Sequence, residues 1–148
     1  MGKIIIYTDG SSRGNPGPAG AGVVICDEDG RLIKKYSKKI GVRTNNEAEY
    51  EAVILALQKA KQIFGKEKVK NFAFEIRMDS ELVCRQLGGR YKIKEEKLVP
   101  LFIKIWNMKM DFGKIDFAEI PREKNKEADK LANEVLDKGE QQDRKSVV

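Results

Sequence analysis

Apolar residues come in short runs whose spacing changes along the chain. Residues 3–8 (KIIIYT) form a nearly continuous β-branched and aromatic run, which predicts a buried strand ending at Asp9-Gly10. The next stretch, SSRGNPGPAG, is dense in Gly and Pro and predicts a loop. Residues 22–26 (GVVIC) read as a second strand turned at DEDG. Residues 31–40 follow as its hairpin partner, with apolar and basic positions alternating. Thr44-Asn45-Asn46-Glu47 opens a helix predicted to run to residue 64. Residues 72–78 are apolar at every second position and predict a further strand. Ser80 caps a short helix to Leu87, broken by Gly88-Gly89. Residues 95–110 read as helical, with Pro100 in a first turn or at a kink. A last strand over 114–120 and a last helix over 125–138 complete the domain. Residues 139–148 (GEQQDRKSVV) read as a polar, fraying tail.

Opening hairpins followed by β/α alternation imply an α/β domain with a mixed sheet and helices packed on its faces. One domain is expected over residues 1–138, because 148 residues suit a single core and leave little room for two. No run approaches the roughly 18 apolar residues that span a bilayer. The first residues read straight into a strand, so no cleavable leader is expected. Cys26 and Cys84 are far apart and form no CxxC pair, which suits free thiols in a reducing compartment; the expected location is the cytoplasm.

Composition then narrows the chemistry. The chain has no histidine, which removes Ser-His-Asp triads, His-ligated zinc and any imidazole acid–base step. Catalysis, if present, has to run on carboxylates, hydroxyls, amines or oxygen-bound metals. The net charge of +6 is compatible with a polyanionic partner, although only its distribution separates that from a solubilising surface.

Four carboxylates stand out by position. At 3.6 residues per turn, Glu49 shares a helix face with Val53, Ala56 and Ala60, the face that should pack on the sheet. Glu47, by contrast, stands three residues after Thr44 and completes a capping box. A buried unpaired carboxylate costs several kcal/mol, so Glu49 needs either a Lys or Arg partner or a bound cation. Asp9 ends the apolar first strand, where an ordinary Asp-Gly turn is the plain alternative. Asp79 ends the strand over 72–78, where helix capping is the alternative. Asp129 lies on the last helix in register with Ala132 and Leu136, and an exposed helical Asp would explain it. Together they suggest a convergent acidic cluster. Oxygen ligands without His or Cys suit Mg²⁺ or Mn²⁺ rather than zinc or copper.

Four segments carry a family resemblance: TDGSSRGNPGPAGAG (8–22), TNNEAEYEA (44–52), MDSELV (78–83) and NKEADKLAN (125–133). In order and spacing they resemble the four motifs of type 1 ribonuclease H, in its compact archaeal- or bacterial-like form. The resemblance spans residues 3 to about 138. It implies the ribonuclease H-like fold, a five-stranded mixed sheet with strands one to three antiparallel and helices on both faces. It also implies cleavage of the RNA strand of RNA–DNA hybrids by two-metal-ion catalysis, leaving 5′-phosphate and 3′-hydroxyl ends. The family's metal-binding, catalytic acids fall on Asp9, Glu49, Asp79 and Asp129, with two Mg²⁺ per substrate-bound site or Mn²⁺ instead. The family's 2′-hydroxyl contacts map to the backbone of Gly10, Ser11 and Ser12 and the side chains of Asn15, Asn45 and Asn46. Thr44 would meet a DNA phosphate as well as cap its helix.

Two departures qualify the resemblance. Many members place a His in the loop before the fourth acid; here Ile120-Pro121-Arg122-Glu123-Lys124 replaces it, leaving Arg122 or Glu123 to act there. Arg would draw on phosphate and not shuttle protons. The family's basic helical protrusion is also missing, and GGRYK (88–92) stands in its place. Similar compact members include some that cut double-stranded RNA, which becomes an expected second substrate of a monomeric enzyme. A non-catalytic binding module is disfavoured, because clustered negative charge gains nothing from phosphates. TDGSSRGNPG argues against a DNA-only resolvase-type nuclease.

Overall fold

The computed structural model describes the backbone of residues 2–147 and the side chains of residues 2–138. Its elements are β1 (Lys3–Ser12), β2 (Gly17–Asp27), β3 (Leu32–Arg43), α1 (Asn45–Asn71), β4 (Ala73–Met78), α2 (Glu81–Leu87), α3 (Val99–Lys109), β5 (Lys114–Glu119) and α4 (Lys126–Val147). Short 3₁₀ turns, Glu96–Leu98 and Arg122–Lys124, precede α3 and α4. The five strands form one sheet in the order β3-β2-β1-β4-β5. β1 pairs antiparallel with β2, and β2 with β3; β4 runs parallel to both β1 and β5. This is the expected mixed sheet.

Helices cover both faces. Ile4, Ile6, Val23, Ile25, Phe74 and Ile76 pack with Val53, Ala56, Leu57 and Ala60 of α1 and with Val83, Leu87, Leu98 and Ile105 in the main core. On the other face Val24 and Cys26 meet Ala128 and Leu131 of α4, with Tyr7 alongside. Cys26 and Cys84 are both free and buried. Among the described residues no helix is long and apolar enough to cross a membrane.

The main departure from expectation is the glycine-rich opening loop. Ordered strand replaces most of it: β1 extends to Ser12 and β2 starts at Gly17, leaving only residues 13–16 as the connection. The glycines serve close packing here. A Cβ on Gly10 would lie 2.1 Å from the backbone of Ala48 in α1, and one on Gly22 would lie 2.2 Å from the Ala128 carbonyl in α4. Both helices therefore ride directly on the sheet where a side chain would hold them off. Helix α1 also outlasts its expected end at residue 64. Gly65 takes a left-handed φ of 85° there, and helix resumes to Asn71. The expected helix over 95–110 begins as a 3₁₀ turn, with Pro100 in the first turn of α3. The α4 backbone stays helical through most of the stretch read as a tail; the side chains of residues 139–148 lie outside those described.

Candidate active site

Parallel pairing of β1 with β4 sets their C-terminal ends side by side. That brings Asp9, near the C-terminal end of β1, close to Asp79, which directly follows β4. The Gly10 contact seats α1 against β1, so Glu49, on the buried face of α1, reaches the same point. Gly10 N–H donates to Glu49 Oε1 at 2.6 Å. Carboxylate oxygens of Asp9, Glu49 and Asp79 all lie within 4.8 Å of one another. Asp9 and Glu49 keep only 6% and 8% of their surface, and Asp79 is half-buried.

Such a cluster is electrostatically costly when empty. Burial, then the Glu49 and Asp79 charges, then a hydrogen bond with Asp129 push the Asp9 carboxyl far above its usual range. Burial pushes Glu49 up as well, opposed chiefly by the Gly10 N–H. Three clustered oxygen donors with no nitrogen or sulfur, short of positive charge, fit a hard divalent cation.

Asp129 enters from the opposite face. It is exposed on the first turns of α4, stands close enough to Asp9 to help raise its carboxyl, and accepts from Asn133 Nδ2 at 3.2 Å. It stands at the rim of the three-acid cluster and not inside it. All four acids line one open groove of about 430 Å³, together with Gly10, Ser11, Asn45, Asn46, Ser80 and Arg122.

Comparison with known proteins places this arrangement. Residues 7–135 match the family of reverse transcriptase-like domains. The structure of LC11-RNase H1, isolated from compost by a metagenomic approach, is 52% identical with a TM-score of 0.88, covering 93% of this chain and 98% of that one. Ribonuclease HI of Halobacterium salinarum is 39% identical over 136 residues. This chain belongs to the type 1 ribonuclease H family. It spans 36% of the length of the similar bifunctional protein Rv2228c of Mycobacterium tuberculosis (39% identical, 91% of this chain) and 65% of the Halobacterium protein, 92% of this chain being covered there. A second LC11-RNase H1 structure, in complex with RNA/DNA hybrid, is 51% identical with a TM-score of 0.86 and covers 91% of this chain and 97% of that one.

Beside this ribonuclease H groove, the other expected residues divide. Asn45 Oδ1 accepts from Ser12 N–H at 3.2 Å, and Asn15 Oδ1 accepts from Asn45 N–H at 3.0 Å, which ties the β1–β2 connection to the start of α1. Ser12 Oγ donates to the Arg43 carbonyl at 2.7 Å. Asn15, Ser12 and Thr44 thus brace the wall, and the groove lining itself is Gly10, Ser11, Asn45 and Asn46. Thr44 caps α1 reciprocally: its hydroxyl accepts from Glu47 N–H at 3.1 Å while Glu47 accepts from Thr44 N–H at 2.8 Å. Arg122 lines the groove and lowers Glu49, whereas Glu123 is exposed outside the lining.

Two contributors escaped the sequence reading. Asn125, 1% exposed, donates from Nδ2 to the Thr8 carbonyl at 2.9 Å and to Asp79 Oδ2 at 3.1 Å, so it holds the Asp79 carboxylate to β1. Its position four residues before Asp129 was the available signal. Ser80 caps α2, accepting from Val83 N–H at 3.2 Å, and also lines the groove.

Proposed function

We propose that this ribonuclease H domain hydrolyses the RNA strand of RNA–DNA hybrids, leaving 5′-phosphate and 3′-hydroxyl ends. The observation that carries the reading is the convergence of three carboxylates within 4.8 Å in a groove also lined by Gly10, Ser11, Asn45 and Asn46. The hybrid complex of a relative 51% identical supports the substrate class. Asp9, Glu49, Asp79 and Asp129 would hold two divalent ions, Mg²⁺ or alternatively Mn²⁺, which would supply charge neutralisation at the phosphate and a more acidic water.

The chain's own residues do the positioning. Gly10 N–H fixes the Glu49 carboxylate, and Asn125 fixes that of Asp79. Asp9 sits between them, and Asp129 closes the rim. Gly10 and Ser11, with Asn45 and Asn46, form the wall that meets ribose 2′-hydroxyls, which both donate and accept, and Ser12 and Asn15 brace it from behind. Thr44 keeps its hydroxyl proton while capping α1 and offers it to a DNA phosphate. Arg122 draws on a phosphate at the groove mouth, in the place of the family histidine, with Glu123 next to it.

Double-stranded RNA is the second substrate, on the resemblance to compact family members, with only the short segment 88–95 between α2 and the first 3₁₀ turn. The enzyme acts as a monomer in the cytoplasm, consistent with two buried free thiols. Labelled hybrid, double-stranded RNA and double-stranded DNA, each with Mg²⁺, Mn²⁺ or EDTA, test all of this. Metal-dependent cutting of the RNA strand with 5′-phosphate ends is expected. Binding of hybrid without cutting under every metal would establish a binding module instead.

A further inference from the structure

Asn45 and Asn46 are adjacent and both line the groove, yet the fold treats their amides oppositely. Asn45 spends its carbonyl oxygen on Ser12 N–H at 3.2 Å, which leaves its NH₂ for a substrate. Asn46 spends its NH₂ on Glu95 Oε1 at 2.7 Å. A carboxylate offers acceptors only, so the atom facing Glu95 has to be the amide nitrogen. Among the described residues neither Asn45 Nδ2 nor Asn46 Oδ1 has a further partner.

The Glu95 backbone is anchored from beneath. Its carbonyl accepts from the N–H of Leu98, which is fully buried. One turn along α1 from Asn46, the Tyr50 hydroxyl donates to Gln86 Oε1 at 2.8 Å, and Gln86 Nε2 donates to the Lys92 carbonyl at 3.3 Å. Helix α1 and the segment before α3 are therefore joined at two successive turns, with the buried Gln86 as the fixed point.

We infer that Glu95 is a specificity-determining positioning residue: by holding the Asn46 NH₂ it turns the Asn46 carbonyl to the groove, so the site demands a hydrogen-bond donor from the nucleic acid there. Resting on the hybrid-cleaving reading, the inference names what that wall recognises. Minor-groove base edges mostly present acceptors, which suit the Asn45 NH₂. Donors come from two sources only, the guanine 2-amino group and the ribose 2′-hydroxyl. Asn46 reads one of these.

The test compares wild type with Glu95→Gln, whose amide both donates and accepts and so frees Asn46 to turn over. A third protein combines Asn46→Asp with Glu95→Gln, which restores an acceptor at 46 and a donor at 95 with no change in net charge. Hybrids carry inosine for guanosine, or 2′-fluoro for 2′-hydroxyl, one position at a time. Binding is measured in EDTA and cleavage in Mg²⁺. Wild type should lose about three- to tenfold at one register position, as one hydrogen bond is worth. Sensitivity to inosine identifies the guanine amino group, and sensitivity to 2′-fluoro the ribose. Glu95→Gln should flatten that discrimination to within about twofold and act on KM more than kcat, and the double variant should restore it. The Asn46 side-chain amide NMR signal should move in Glu95→Gln. Equal weakening of every substrate with discrimination intact would overturn the inference, as would an unmoved amide signal. If wild type binds hybrid and cuts none, the hydrolase reading falls, while the binding panel still decides the role of Glu95.

Discussion

Replacing Asp9 by Asn should stabilise the metal-free protein while it destroys the site. Asp9 is raised from 3.8 to about 10 by burial and by the Glu49 and Asp79 charges. The folded state therefore holds that proton more tightly than the unfolded chain. Its stabilising contribution is complete below pH 3.8 and is lost as pH climbs towards 10, at up to about 1.36 kcal/mol per pH unit. Between 3.8 and pH 7 lie about three pH units, so the acid costs roughly 4 kcal/mol at neutrality. Asparagine has nearly the same shape and does not titrate, but its NH₂ finds an imperfect partner, which takes back about 1–2 kcal/mol. The net expectation is a gain of about 2–3 kcal/mol at pH 7, a rise in Tm of roughly 4–12 °C for a chain of this size. Thermal melts in EDTA from pH 4.5 to 8 provide the assay. The increment should shrink to below about 1 kcal/mol at pH 4.5 and widen with pH. Added Mg²⁺ should raise the wild-type Tm and leave Asp9→Asn nearly unchanged, because only wild type keeps the shared ligand. An increment independent of pH, or a loss of stability at pH 7, would refute the strained-cluster argument. The same variant should bind hybrid and cut none.

Other expectations follow from the same geometry. Gly10→Ala puts a methyl 2.1 Å from the Ala48 backbone, so α1 must move; a loss of about 2–4 kcal/mol in chemical denaturation is expected, together with activity, and a loss under 0.5 kcal/mol would contradict the packing. Asn125→Ala frees Asp79 and strands the Thr8 carbonyl, costing about 1–3 kcal/mol and weakening Mg²⁺ affinity by about tenfold in calorimetry; unchanged affinity would show that Asp79 needs no brace. Thr44→Ala removes half of the capping box at about 1 kcal/mol in a denaturant melt. With no histidine in the chain, the pH–rate curve in saturating Mg²⁺ should lack a limb near the imidazole pKa of about 6.5; a clear break there would count against this.

Legibility varied with the physics behind each feature. Glu49 was readable because helical period alone places it on the apolar stripe, and a carboxylate on that stripe needs a reason. The capping box was readable because both partners lie within one turn. Residues 11–20 read as loop because glycine breaks structure in local propensity scales, whereas most of them are strand, and Gly20, like Gly10 and Gly22 beside that stretch, admits a helix residue 38 or more positions away. The exposure of Asp129 agreed with its plain helical reading, and only the approach of α4 over β2 brought it to the groove rim.

What the sequence by itself determined was the set of reagents: oxygen donors without imidazole, four motif segments in family order, and strands and helices whose periods alternate as a mixed sheet requires. Local spacing suffices for these, because propensity, capping and amphipathic period act over a few residues. Only the tertiary structure decided that three acids meet within 4.8 Å with the fourth at the rim, that Asn125 braces Asp79, and that Glu95 accepts from the amide of Asn46. Each of those joins residues 30 or more positions apart, or rests on which lone pair or N–H a neighbour has already taken. Such pairings arise from chain packing across the sheet ends, where periodicity along the chain carries no information.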